Sequence, residues 1–309
     1  MTGPAGRPPA PSTPAHADPG RGAGSGPSTP ETFPDGALLI DKPAGVTSHD
    51  VVQRVRRTLG GRRAGRVGHT GTLDPFATGL LIVLVGRATR LQHHLMGQDK
   101  TYETLARLGA TSTTGDPEGE IVETGRIPPD PPSLPTGLVR QTPPAYSAIR
   151  VDGERAYKRA RRGEEVVVPE REVQVHEYEQ LWRDGDRARF RISCSSGTYV
   201  RTLVADLGDA YCLELRRTSI GAYSVDRAQQ PDVDRADWRL LPLHDLLRSV
   251  LPTVELDADQ ARRAGFGQRL ELPDAPAVDE VGLCHAGEAI AIGRREPDGR
   301  IHPVVGFRP

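Results

Sequence analysis

The sequence has 309 residues, a length that fits two folded units or one large unit with an appendage. Its 40 Lys and Arg residues balance 41 Asp and Glu residues, so a nucleic-acid site would have to be a local basic patch. The three cysteines, Cys194, Cys212 and Cys284, lack C-x-x-C spacing, which argues against a disulfide framework or a cysteine zinc site and favours a reducing cytoplasm.

Residues 1–33 are dominated by Pro, Gly, Ala, Ser and Thr, and no apolar residue recurs there at a helical or strand period. Such a segment cannot bury enough surface to offset the entropy lost on ordering. The sequence therefore predicts a disordered tail.

Two apolar runs and an amphipathic pattern follow the tail. The run at 37–40 predicts a buried strand, and a helix with Ser48 as its N-cap is predicted to end at Gly60. The run at 80–85 predicts a second buried strand. It is also the longest strongly apolar segment, far short of the roughly 20 residues of a membrane helix, so we expect no membrane association.

Later segments add more strands than helices. Alternation predicts a half-exposed strand at 102–108 and a clear strand at 187–194, whereas 198–211 is typical of a helix. Strands that outnumber helices without alternating with them favour an α+β fold with a mixed, mostly antiparallel sheet. Short strands in the last 60 residues predict a small β-rich module, so we divide the chain into the tail, a core at 34–250 and a module at 251–309.

Templates for zinc peptidases, serine hydrolases and phosphate-binding loops do not occur in the sequence. The densest irregular segment is Gly-His-Thr-Gly-Thr-Leu-Asp-Pro at 68–75, directly before a buried strand. A rigid scaffold there can hold the carboxylate of Asp74 at a defined point. A tight turn in which Asp74 caps a backbone amide explains the same residues, and spacing alone favours that simpler interpretation.

Two further side chains are candidates for the same site. If the fold brings Arg201 onto Asp74, the guanidinium would hold the carboxylate ionised and oriented. The alternative is a surface arginine on an amphipathic helix. Tyr102 lies on an alternating strand, where an aromatic residue is either part of a site or half-buried packing.

Arginines greatly outnumber lysines among the basic residues. Only three of the 40 are lysines, Lys42, Lys100 and Lys158, which suggests that an ammonium group is required at those positions. Arginine-rich runs at 54–66 and 155–162 indicate either a grip on a phosphate backbone or ordinary solvated faces, and the sequence supports both interpretations equally.

Five segments together are similar to the motifs of the bacterial TruB-type tRNA pseudouridine synthases. In chain order these are 41–48, 68–75, 100–103, 141–148 and 197–201. The resemblance runs from about Gly36 to the C-terminus. It implies the α+β fold of pseudouridine synthases with a PUA-like RNA-binding domain at 251–309, and isomerisation of uridine to pseudouridine at position 55 in the T-loop of tRNA.

The resemblance also implies residue roles. Asp74 would be the essential carboxylate, which attacks the ribose C1′ or the uracil C6, or removes the C2′ proton. The target base must leave its stack, and His69 would fill the vacated space. Tyr102 would stack on the uracil, and Arg201 would pair with Asp74. Leu215 would form an apolar surface beneath the base, and Lys42 would brace the site.

Isomerisation is redox-neutral, so the resemblance implies no cofactor and no metal. It implies the T-arm of tRNA as partner, and we expect a cytoplasmic monomer without an obligate protein partner. Three alternatives stay open. A non-catalytic tRNA-binding or tRNA-folding module would not need Asp74, Tyr102 and Arg201 together. A glycoside hydrolase would need a second carboxylate facing Asp74. A guide-RNA-dependent pseudouridine synthase relative would share the chemistry.

Overall fold

The structure is a computed structural model that describes residues 1–3, 35–61, 65–144, 146–147, 149–151, 153–164 and 166–307. Most of the predicted tail at 1–33 lies outside the described residues, as do Arg62 and Arg63 of the first arginine run. The segment Phe33–Pro309 forms one compact unit. No described helix is both long enough and apolar enough to cross a membrane.

The helices are short. They are α1 (Ser48–Thr58), α2 (Gln92–Met96), α3 (Ala156–Arg161), α4 (Val200–Ala205), α5 (Leu243–Val250) and α6 (Ala258–Gly265).

The strands are more numerous and cover more of the described residues than the helices do. They are β1 (Gly36–Lys42), β2 (Val67–His69), β3 (Thr78–Val85), β4 (Lys100–Leu108), β5 (Ala110–Ser112), β6 (Ile121–Glu123), β7 (Gly137–Gln141), β8 (Arg150–Val151), β9 (Glu154–Arg155), β10 (Arg171–Asp184), β11 (Arg187–Cys194), β12 (Ala210–Ile220), β13 (Tyr223–Ser224), β14 (Leu240–Pro242), β15 (Thr253–Glu255), β16 (Glu280–His285), β17 (Glu288–Arg295) and β18 (Ile301–Gly306).

The main sheet runs β14-β1-β3-β12-β4-β11-β10-β7, with β2 paired to β3 and β13 paired to β12. Its described neighbours are antiparallel except β12 and β3, which run parallel over only two residue pairs, Arg216 with Thr78 and Arg217 with Gly79. A late strand, β12, thus lies between two earlier ones. The predicted mixed, mostly antiparallel α+β fold is confirmed.

Both faces of the β1–β3 region are buried, which explains the uninterrupted apolar runs. Leu38 and Leu81 face one side, where α1 packs. Leu39 and Leu80 face the other side, in a cluster that includes residues of α2 and α5. A third cluster packs α4 against β4, β10, β11 and β12.

The helix predicted at 198–211 is wrong over its second half. Helix α4 ends at Ala205, and Gly208 follows with a φ of 124°, a conformation outside the helical region. Tyr211 and Cys212 are buried on β12 and pair with β4. The apolar spacing that indicated one helix therefore belongs to a helix and the strand after it.

The C-terminal sheet runs β15-β16-β17-β18, as the β-rich prediction for this segment requires. It shares the α5 cluster with the main sheet through Cys284, Ile292 and Phe307. Arg87 and Arg90 also donate to the backbone carbonyls of Phe307 and Gly306. The two sheets therefore share part of one core.

Candidate active site

The loop that carries Asp74 is fixed by the start of α1. The cap of α1 is Thr47 rather than the predicted Ser48: the Thr47 hydroxyl accepts from the Asp50 N–H, and the Asp50 carboxylate accepts from the Thr47 N–H. Ser48 is therefore free for another contact. Its buried hydroxyl accepts from the Leu73 N–H at 2.8 Å and lies 3.1 Å from the Leu73 carbonyl, next to Asp74.

Lys42 holds the other side of this loop. It is fully buried, and its ammonium donates to the carbonyls of Pro43, Val46 and Pro75 at 2.8, 2.8 and 3.2 Å. Burial lowers the pKa of Lys42 to about 8, although the nearby Asp74 opposes this. One of these bonds thus ties Lys42 to Pro75, the residue after Asp74, and the prediction that Lys42 braces the site stays a prediction.

Asp74 forms an ion pair with Arg201 on α4, whose Nε lies 3.0 Å from the Asp74 Oδ2. The Arg201 side chain is only 4% exposed, whereas that of Asp74 is 31% exposed. The arginine is also held by Asp116, whose Oδ2 lies 3.1 Å from Nη1, and by the carbonyls of Thr114 and Tyr146 at 2.5 and 3.0 Å. Its guanidinium is therefore oriented before any ligand binds.

The electrostatics of Asp74 are set by opposing contributions. Burial raises the pKa of the Asp74 carboxyl above its usual value, Arg201 counteracts that rise, and the negative charge of Asp116 adds to it. A carboxylate that is partly desolvated yet paired is suited to nucleophilic or general-base chemistry.

Asp74 and Arg201 line a cavity of about 250 Å³. Its wall includes three other predicted or notable side chains, Tyr102, Leu215 and Lys100. Drug-sized pockets measure roughly 300–1,000 Å³, so this cavity suits a single planar base. The structure therefore brings Asp74, Arg201, Tyr102 and Leu215 together, while Lys42 lies beneath the loop.

Tyr102 and Leu215 form the apolar part of the cavity. Tyr102 on β4 is 8% exposed and Leu215 on β12 is 6% exposed. Burial raises the pKa of the Tyr102 phenol. Lys100, at the start of β4, donates to the carbonyls of Met96 and Gln98 at 2.9 and 2.5 Å, and burial lowers its pKa to about 8.

His69 lies apart from the residues that line the cavity. It is half-buried at the end of β2, and its carbonyl accepts a hydrogen bond from the Gln92 side chain at 2.9 Å. The prediction that it fills the space of an extruded base stays a prediction.

The two arginine runs differ in their surroundings. Arg54 and Arg57 are exposed on α1, and neither forms an ion pair with another described residue. In the second run, Arg162 contacts Glu154 and Glu164 at 2.8 and 2.6 Å. Arg54 and Arg57 of the first run therefore present charge to solvent, while Arg162 of the second run is neutralised within the chain.

Two residues that the sequence did not single out belong to this site. Asp116 is 4% exposed and pairs with Arg201, and Arg217 is 1% exposed and lines the cavity. Asp116 sits in a Thr-Gly-Asp-Pro segment typical of a surface turn. The only sequence signal for Arg217 was its place two residues after Leu215.

Comparison with known proteins adds an independent finding. The family model described as TruB family pseudouridylate synthase (N terminal domain) matches residues 56–200. A tRNA pseudouridine synthase B from Thermobifida fusca is 41% identical over 292 residues, covering 86% of this chain and 92% of the relative. One from Ectopseudomonas mendocina is 39% identical over 290 residues, covering 87% of this chain and 94% of the relative.

Solved structures share the fold at low sequence identity. A chain of a Cbf5-Nop10-Gar1 complex has a TM-score of 0.66 and 23% identity, with coverage of 88% of this chain and 84% of that one. A chain of an H/ACA RNP bound to a substrate RNA containing 2′-deoxyuridine has a TM-score of 0.64 and 22% identity, with coverage of 89% and 85%.

Proposed function

Because this chain belongs to the TruB family of pseudouridylate synthases, which are isomerases, we propose that it converts uridine to pseudouridine at position 55 in the T-loop of tRNA, with Asp74 as the essential carboxylate. The observation that carries the assignment to Asp74 is its ion pair with the buried, preoriented Arg201 in a cavity of the size of one base. The names of the tRNA pseudouridine synthase B relatives support tRNA as the substrate.

The reaction exchanges one bond to the ribose for another. The target base leaves its stack and enters the cavity, and the C1′–N1 bond breaks. The free uracil turns, a C1′–C5 bond forms, the C5 proton leaves and N1 gains a proton. Asp74 opens this sequence by attack on C1′ or on C6, or by removal of the C2′ proton, and the sequence closes when the bond to Asp74 breaks or the proton returns to C2′.

The other side chains act on the base and on the carboxylate. Arg201 keeps Asp74 ionised and fixes its direction. Tyr102 stacks on the uracil and Leu215 supports it from below, so the base turns between an aromatic ring and an apolar side chain without losing hydrogen bonds to either. Lys42 holds the loop in place, and His69 occupies the stack that the base has left.

The chain divides its work between two parts. The core at 34–250 carries the chemistry, and the PUA-like module at 251–309 docks the tRNA. We expect a monomer that works in the cytoplasm without an obligate protein partner. The buried, free cysteines suit a reducing compartment.

The test replaces the charge of one residue. Asp74→Asn keeps the size of the side chain but removes its negative charge, so we expect no detectable release of tritium from C5-labelled uridine in an unmodified tRNA transcript. Filter binding on the same preparation should show a tRNA affinity within about tenfold of the wild type, roughly 1.4 kcal/mol or less. Asp184→Asn, which neutralises an exposed carboxylate at the end of β10 in the core, is the matched control and should keep both values.

Three results would contradict the proposal. Turnover by Asp74→Asn would remove Asp74 from the mechanism. Combined loss of activity and binding would point to a structural role for its charge. Inactivity of the wild-type chain by itself on the transcript would favour a guide-dependent or non-catalytic function.

A further inference from the structure

Arg217 is a buried cation that the proposed chemistry does not use. Its side chain is among the largest that are fully buried, and it forms no ion pair with a carboxylate in the described part of the chain. A buried charge without a carboxylate partner is costly unless hydrogen bonds compensate it. Burial of Arg217 is therefore unfavourable in free energy unless its hydrogen bonds offset the loss of hydration. Its contacts show which parts of the protein it joins.

The guanidinium of Arg217 donates to backbone carbonyls of two different elements. Nε donates to the Leu80 carbonyl on β3 at 2.8 Å, and Nη2 donates to the Gly71 carbonyl at 3.2 Å. Nη1 lies 3.5 Å from the Thr72 carbonyl. Gly71 and Thr72 precede Asp74 in the same loop, so one side chain ties that loop to the central sheet.

The backbones of β12 and β3 approach each other closely at Arg217. Arg217 pairs with Gly79 where β12 runs parallel to β3, and a Cβ atom on Gly79 would collide with the Arg217 backbone. The φ of Gly79 is 103°, a conformation that other residues rarely adopt. Strands β12 and β3 are therefore in close backbone contact at Arg217.

Arg217 also faces Tyr102. The two residues are direct cross-strand neighbours in the antiparallel pair of β12 and β4, and both line the cavity. The positive charge of Arg217 lowers the pKa of the Tyr102 phenol, against the larger effect of burial.

We propose that Arg217 is a positioning residue for the isomerisation, which holds the Asp74 loop against β3 beside Tyr102. This inference rests on the proposed function of the cavity. It assigns Arg217 no contact with the tRNA backbone, because the fork of its guanidinium donors is directed to the carbonyls of Leu80 and Gly71 inside the protein.

The test compares two adjacent arginines on β12. Arg217→Gln removes the buried charge and the fork. Arg216→Gln is the matched control, because Arg216 has a 40% exposed side chain and pairs with Asp41 at 2.8 Å outside the cavity. Single-turnover pseudouridine formation is measured at saturating enzyme, and the Kd for the tRNA transcript is measured by filter binding.

We expect Arg217→Gln to slow single turnover by about 100-fold, the scale of a misplaced catalytic geometry, with an unchanged Kd. Arg216→Gln should match the wild type in both measurements. A lysine cannot reproduce the fork, so Arg217→Lys should stay well below the wild-type rate. If Arg217→Gln lacks a cooperative melting transition, Arg217→Lys decides the question by the same measurements.

Three outcomes would overturn the inference. The first is a wild-type rate in the folded Arg217 variant. The second is a loss explained entirely by weaker tRNA binding, which would make Arg217 a docking residue. The third is an equal loss in Arg216→Gln, which would show a general effect of charge on β12. An inactive wild-type chain in the same assay would instead reject the proposed function on which the inference rests.

Discussion

At the scale of single residues, the site is controlled by charges placed on either side of one carboxylate. Arg201 and Asp116 contact each other, and they act in opposite directions on Asp74. The positive charge lowers the pKa of Asp74, and the negative charge raises it. Asp116 therefore both orients Arg201 and limits its effect on the carboxylate.

This opposition predicts two shifts of opposite sign in the pH dependence of the rate. The reaction needs ionised Asp74, so its rate falls as the pH drops through the Asp74 pKa. Asp116→Asn removes a negative charge, lowers that pKa and should move the acid limb to lower pH. Arg201→Gln removes a positive charge, raises the pKa and should move the limb of the residual rate to higher pH.

The measurement is the single-turnover rate at saturating enzyme across the acidic range, with the wild type in parallel. Asp184→Asn at the end of β10 changes the net charge by the same amount as Asp116→Asn and should leave the limb in place. Shifts of the same sign in the Asp116 and Arg201 variants would show that the limb does not report Asp74.

The sequence predicted one half of this residue network. Asp74 and Arg201 stood out because each lies in or beside an irregular, glycine-containing segment. Asp116 and Arg217 did not, for a physical reason. A turn aspartate looks the same whether it faces water or a guanidinium. Adjacent arginines on a strand must point to opposite faces, and Arg216 and Arg217 do not reveal in sequence which face is buried.

At the scale of elements, the hydrogen bonds between Ser48 of α1 and Leu73 of the Asp74 loop should contribute both to stability and to the reaction rate. Ser48→Ala leaves the buried N–H and carbonyl of Leu73 without their partner, which should destabilise the protein by about 1–3 kcal/mol. The change should also slow single turnover, because Asp74 follows Leu73 directly. Thermal unfolding and the single-turnover assay measure the two effects.

Thr47→Ala is the matched control for this prediction. It removes the N-cap of the same helix and should cost about 1 kcal/mol of stability, yet leave the turnover rate unchanged. If both variants lose stability but neither loses rate, the Ser48 contact does not position Asp74.

The predicted helices and strands are correct where an apolar pattern lies within a single element. The apolar runs became β1 and β3, the alternating segments became β4 and β11, and the amphipathic segment became α1. The helix prediction is wrong at 206–211, because the apolar residues of this stretch belong partly to the segment after α4 and partly to the start of β12. The pairing of β12 with β4 joins segments about a hundred residues apart, and local spacing does not encode such a contact.

At the scale of the whole molecule, the balanced net charge hides an uneven surface. Arg54 and Arg57 are exposed on α1, whereas Arg162 is neutralised by Glu154 and Glu164. We expect Arg57→Gln to flatten the dependence of log tRNA affinity on log salt by about one unit or slightly less.

Arg162→Gln should leave that slope nearly unchanged, because its charge is already used within the chain. The measurement is filter binding over a salt series for both variants and the wild type. Equal slopes for the wild type and Arg57→Gln would identify the outer side of α1 as a solvated face without a phosphate contact.

The central place of β12 has a consequence for biosynthesis. Strands β1 and β3 are translated before β4, yet in the sheet they are separated from it by a strand that ends only at Ile220. The hydrogen bond between Arg217 and Leu80 spans 137 residues of chain. Because contacts of such long sequence separation form late in folding, the emerging polypeptide holds two unjoined pieces of sheet until β12 inserts between them. We therefore expect the cavity to be completed late in folding, and a product of interrupted translation that lacks β12 to be inactive on RNA.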